Sequence, residues 1–189
     1  MALATLLALS ACHRAYGGGY LDEPLDGGPV VDYQGRANFG FNFTCPQNER
    51  AEIKGQITYH DSPSTIDGQG FPEISLHGTV ENVLVEVDHD EVPETEPIVK
   101  PASTCEELLE AQAAHFEGTY RPQGKTPGVP GYARDGRFNV LVFDQGEPGR
   151  SQGDFTGDGF SIELHGGAYA VYTRGGYIEG GNVQVRGSK

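Results

Sequence analysis

Arg36-Ala37-Asn38-Phe39-Gly40-Phe41-Asn42-Phe43-Thr44 decides the class of fold. Ala37, Phe39, Phe41 and Phe43 alternate with Arg36, Asn38, Asn42 and Thr44. A period of two places the rings on one face of an extended chain and the polar groups on the other, the pattern of a strand with one face buried and one wet. The alternation recurs downstream. Ile53, Ile57 and Tyr59 alternate with Glu52, Lys54, Gln56 and Thr58, and Ile74, Leu76 and Val80 with Glu73, Ser75, His77 and Thr79. Val83 to Val87 continues as a fourth strand candidate.

The second half repeats the pattern at His115 to Arg121, Arg137 to Phe143, Gly159 to His165, Ala168 to Thr173 and Tyr177 to Val185. With 28 Gly and 12 Pro in 189 residues, the breaks between these runs read as tight turns. Asp88 to Pro101 holds Pro93, Pro97 and Pro101 and reads as a surface loop, because central strands exclude proline. One helix signal stands out. Thr104 and Glu107 form a capping box, with Glu106 in the first turn, and predict a short helix over Cys105 to Ala114. About nine strands and one short helix predict an all-β domain, a two-layer β-sandwich or a barrel-like sheet.

The N-terminus carries a different message. The apolar run Ala2 to Ala8 leads into Leu9-Ser10-Ala11-Cys12, which resembles the lipobox of bacterial lipoproteins. The resemblance implies cleavage before Cys12, a lipid on Cys12, and work outside the cytoplasm at the outer membrane or cell surface. No Lys or Arg precedes Arg14, so a basic leader is expected upstream of Met1. The apolar run is too short to span a bilayer, which takes about 20 residues; attachment is expected by anchor alone. His13 to Val30 contains Gly17-Gly18-Gly19, Pro24, Gly27-Gly28 and Pro29 and reads as a flexible tether. The expected organisation is a signal peptide over 1–11, a tether over 12–30 and a β-rich domain over 31–189.

A net charge of -14 argues against nucleic acid, whose phosphates need basic patches. It also opposes anionic headgroups. With Cys12 lipidated, Cys45 and Cys105 remain as an even pair. In an oxidising compartment they are expected to form a disulfide, the alternative being two free buried thiols. The bridge would close a loop of about 60 residues, worth roughly 4 kcal/mol on the chain-entropy model.

A second resemblance lies in the second half. Val142-Phe143-Asp144-Gln145-Gly146-Glu147-Pro148-Gly149 is followed by Gly153-Asp154 and Gly159-Phe160-Ser161-Ile162. The run closes with Gly176-Tyr177-Ile178-Glu179-Gly180-Gly181-Asn182-Val183-Gln184-Val185. This order resembles the post-COAP family of secreted and surface β domains, and Gly35 with Phe39-Gly40-Phe41 is similar to that family's opening strand. The resemblance implies an all-β extracellular accessory domain and assigns no functional residue. Read from their residues, Gln145 to Gly149 and Gly180-Gly181-Asn182 suit turns, the latter a bulge or hairpin turn before a final strand.

Asp154, Thr156, Asp158 and Gly159 imitate the start of an EF-hand calcium loop, but Ser161 and His165 stand where an apolar residue and a bidentate Glu belong. Asp154 and Asp158, with Asp144 and Glu147 as further oxygen donors, stay the candidates for a calcium site of another kind, against an acidic turn. Asp88-His89-Asp90-Glu91 is a solvated charge run before it is a metal site. Tyr59-His60-Asp61-Ser62 holds the residue types of a hydrolytic triad, but sequence neighbours do not form its spatial arrangement. Tyr16, Tyr20, Tyr132 and Tyr177 each adjoin Gly, where an exposed ring can stack on a sugar or a protein. No catalytic motif is present. The expected function is a lipid-anchored envelope domain with a binding or structural role, its partner a protein or a glycan. The alternatives are a glycosidase-like envelope hydrolase using a carboxylate pair, which leaves no linear motif, and a calcium-stabilised surface scaffold.

Overall fold

A computed structural model describes residues 14–21, 31–33, 36–44, 53–62, 64–66, 69–71, 73–87, 98–102, 113–123, 135–144, 157–169 and 172–186. The strands in chain order are β1 (Arg14–Leu21), β2 (Val31–Tyr33), β3 (Ala37–Thr44), β4 (Gly55–Asp61), β5 (Ser64–Ile66), β6 (Gln69–Phe71) and β7 (Ile74–Val87). They continue with β8 (Ile98–Pro101), β9 (Ala113–Pro122), β10 (Gly136–Phe143), β11 (Gly159–His165), β12 (Tyr172–Tyr177) and β13 (Gly180–Arg186). Among the described residues, ten strands form one antiparallel sheet in the order β12-β11-β10-β9-β7-β4-β3-β1-β13, with β8 on β7. β2, β5 and β6 make a small second sheet.

The fold is all-β, in the barrel-like form of that expectation. β3 and β11 lie five strands apart along the path. In a flat sheet that is about 24 Å, at roughly 4.8 Å per strand. Yet Phe39 of β3 stacks on Phe160 of β11 with ring centroids 3.9 Å apart. The sheet therefore curls until opposite walls meet. Phe116 of β9 lies 5.1 Å from both Phe41 and Phe43, and Tyr59 lies 6.1 Å from Phe160. These rings come from the inward positions of the alternation: Ala37, Phe39, Phe41 and Phe43 are buried, as are Ile57 and Tyr59. Each such ring contributes about 1.5–3 kcal/mol on burial.

β7 is a single strand across two sequence candidates. A bulge between Val80 and Asn82 in its pairing with β9 shifts the register. Ile74, Leu76 and Val80 point inward before it and Val83 after it, so one extra residue switches the inward parity.

Several sequence expectations are corrected. Residues 14–21 of the expected tether are β1, paired with β3 on one side and β13 on the other. Gly17-Gly18-Gly19 permits close approach here instead of flexibility. A Cβ on Gly17 would stand 2.7 Å from the Phe41 ring, and one on Gly19 2.4 Å from the Gly180 carbonyl oxygen. The expected loop over 88–101 ends in β8, whose Pro101 is the register partner of Leu84. The helix expected over 105–114 lies outside the described residues except for Ala113 and Ala114, which are strand. A 3-10 turn at Gly167–Tyr169, entered through Gly166 at φ 65° and Gly167 at φ 64°, delays the penultimate strand to Tyr172.

Candidate functional site

The curled sheet has three polar features. The first is internal. Asp61 ends β4 on the inward parity of Ile57 and Tyr59, and Arg174 of β12 shares the inward face with Tyr172. Arg174 Nη1 donates to Asp61 Oδ1, and the Tyr172 hydroxyl donates to Asp61 Oδ2. With that proton committed, Tyr59 donates its own to the Tyr172 oxygen at 2.7 Å. Arg174 Nη2 reaches the Leu21 carbonyl of β1 at 3.1 Å. One guanidinium thus ties β12 to β4 and to β1. Burial pushes the Tyr172 phenol well above its usual range, and the neighbouring Tyr59 and Asp61 add to this. Burial works against the Arg174 charge, but the hydrogen bond and opposite charge of Asp61 outweigh it and hold the guanidinium up. A carboxylate matched to a guanidinium inside a packed interior is a structural clamp.

The second feature closes the sheet. The path begins and ends on β12 and β13, yet Ile178 and Glu179 alone join them. The Ile178 N–H donates to the Asp158 carbonyl at 2.9 Å, and the Glu179 N–H to the Tyr20 carbonyl at 3.1 Å. The buried Asp158 carboxylate accepts the Val183 N–H of β13 at 2.8 Å. Asp158 therefore joins the start of β11 to β13 where no ladder does.

The third feature is external. Register aligns an outward row across the sheet. Gln184 pairs with Tyr16, Tyr16 with Asn42, Asn42 with Gln56, and Gln56 with Thr79. This face is polar, the reverse of a lipid-facing barrel, whose outer band is apolar. Across β1, β3, β4 and β7 the row opens into a groove of about 680 Å³. Tyr16, Asn42 and Gln56 line it with Arg14 and Lys54, over Phe43 and Ile53. Tyr16 is 40% exposed, and its hydroxyl donates to Gln184 Oε1. Thr44 N–H donates to the Lys54 carbonyl at 2.9 Å, and Lys54 N–H to Thr44 Oγ1 at 3.2 Å, which fixes the strand end carrying Lys54.

Comparison with protein-family models, curated proteins and solved structures finds no match for this chain.

The sequence candidates distribute unevenly over that geometry. Cys12, Cys45, Cys105 and Asp154 lie outside the described residues, as do Tyr132, Glu147 and the run 88–97. Asp158 is the closing residue, its carboxylate accepting the Val183 N–H. Among the described residues no cluster of three or more His, Cys, Asp or Glu could hold a metal. Tyr59-His60-Asp61-Ser62 splits by parity: Tyr59 and Asp61 enter the clamp, while His60 faces outward, 3.6 Å from Glu73. Of the tyrosines beside Gly, Tyr16 lines the groove, Tyr20 carries Arg36 over its ring at 4.1 Å, and Tyr177 is 39% exposed. The second-half motifs that suggested a resemblance fall on the strands around the closure: Val142 and Phe143 end β10, Gly159 to Ile162 open β11, Gly176 and Tyr177 end β12, and Ile178 to Val185 form the corner and most of β13.

Sequence reasoning missed Arg174 and the groove. For Arg174 a signal existed, since the alternation Tyr172, Arg174, Gly176 puts a cation on an inward face and demands a buried acid. The groove had none, because its row exists only in the register between strands.

Proposed function

We propose that this chain is a recognition domain of the cell envelope that meets its partner on the outer face of the curled sheet. The groove carries this proposal: an exposed aromatic ring, two amides in register and two cations converge on one hollow. The interior is packed, with rings stacked across it and Arg174 paired to Asp61 within the fold. A binding role on the outside is what remains for chemistry of this kind.

Export and anchoring through Cys12 belong to the same proposal and are supported by the apolar run ending in Leu9-Ser10-Ala11-Cys12. β1 starting at Arg14 alters what such an anchor would do. Two residues span at most about 7 Å, so a lipid on Cys12 would sit beside the Arg14 end of the groove with no long spacer.

The test is a photo-crosslinking residue at Asn42 or Gln56 in cells, with Glu163 on β11 as the control position. Capture of one envelope component from the groove positions alone is expected. Equal capture from Glu163, or capture from neither groove position, overturns the proposal. For the anchor, Cys12→Ala is expected to abolish fatty-acid labelling.

A further inference from the structure

We propose that the groove across β1, β3, β4 and β7 binds an acidic oligosaccharide, an inference that rests on the outer face being the recognition surface. The first argument is charge. The chain carries 27 acids against 13 Lys and Arg, yet among the described residues those lining the groove include Arg14 and Lys54 and no acid. A cationic hollow on an acidic molecule focuses anions there and repels them elsewhere.

The second argument is the chemistry between the cations. Asn42 and Gln56 are cross-strand partners on the outer face. Each amide offers a donor beside an acceptor, the pair that adjacent sugar hydroxyls satisfy. Tyr16 adds an exposed ring on which the C–H face of a pyranose packs, and its bond to Gln184 holds the ring in place before binding. Gly55, next to Gln56 on β4, also lines the groove. The volume of about 680 Å³ lies within the range of small-ligand clefts.

Other polyanions suit the groove less well. A polynucleotide presents a dense row of phosphates and needs many cations to meet it. A bilayer surface has no use for paired amides in a hollow, and the net charge of -14 opposes it.

The experiment is calorimetric titration of the full chain with oligogalacturonate, a neutral glucan of equal length and phosphatidylglycerol vesicles. Oligogalacturonate alone is expected to bind, more weakly as salt rises. The double variant Arg14→Gln/Lys54→Gln is expected to lose about tenfold in affinity, as two exposed charge contacts would. Tyr16→Ala is expected to weaken binding, and Tyr16→Phe to recover part of it by keeping the ring while losing the bond to Gln184 that holds it. Equal binding of the neutral glucan, binding of vesicles alone, or no binding at all overturns the proposal. Crosslinking from Asn42 separates the two failures. Capture of an envelope protein there, without sugar binding, removes the glycan and leaves the recognition surface standing. No capture removes both.

Discussion

Arg174 and Asp61, 113 residues apart in the chain, form an ion pair inside the sheet, with side chains 1% and 0% exposed. The pair joins β12 to β4, and through the Leu21 carbonyl it reaches β1 as well. Walls that share no ladder are thus held by one charged contact.

Asp61→Ala leaves that guanidinium buried and unmatched, which costs about 3–5 kcal/mol. The double variant Asp61→Leu/Arg174→Met removes both charges and is expected to recover most of the loss. Urea unfolding of the four proteins of the cycle measures this. A double variant as unstable as Asp61→Ala would show that the pair does more than neutralise itself.

Alkaline pH should loosen the same clamp. The Tyr172 phenol is raised in the folded chain, by burial first and then by Tyr59 and Asp61. In the unfolded chain it ionises near pH 10. Above about pH 10 the unfolded state therefore holds fewer protons than the folded state, and stability falls as pH rises. Below that pH the group adds no slope. Tyr120 is raised too, by burial against the opposing hydrogen bond with the Tyr169 backbone, so the slope belongs to more than one residue. Tyr172→Phe should flatten part of it, and should cost about 1–3 kcal/mol at neutral pH by leaving Tyr59 and Asp61 short of a partner. Melting temperatures from pH 7 to 11 check both statements.

Asp158→Ala removes the acceptor for the Val183 N–H. A loss of about 1–3 kcal/mol is expected, with faster hydrogen exchange concentrated at Val183 and its neighbours in β13. Asp158→Asn keeps a carbonyl acceptor and should lose less. If the carboxylate serves the fold in this way, chelator leaves the melting temperature unchanged. A clear drop with chelator would make Asp158 part of a calcium-stabilised scaffold instead.

Gly181 has φ 116°, and a Cβ there would meet the Gly18 carbonyl oxygen at 2.0 Å. Gly181→Ala should therefore cost about 1–3 kcal/mol from backbone strain, with the clash in addition. At Gly40 the nearest atom to a new Cβ is Thr58 Oγ1 at 3.4 Å, an ordinary contact. Gly40→Ala should be close to neutral. Equal losses at the two positions would show that glycine matters here only for its size.

The alternation around Phe39, Phe41 and Phe43 made the class of fold legible, and with it the sorting of side chains into two faces. Parity also reaches part of the clamp, since continuing Ile57 and Tyr59 by two residues puts Asp61 inside. It does not reach Arg174 as the partner, because two inward residues on distant strands meet only once the sheet has curled. Gly17-Gly18-Gly19 shows the opposite failure. Glycine is suited both to a linker and to a strand pressed against neighbours, and only the backbones of β3 and β13 decide which.

The sequence by itself determined the all-β character, the aromatic interior and the polar exterior, because a two-residue period is local and each strand carries it alone. Tertiary structure decided the curl that stacks Phe39 on Phe160, the closure through Asp158, the clamp and the groove row. Those depend on strand register and on contacts between residues far apart in the chain, and no local pattern specifies either.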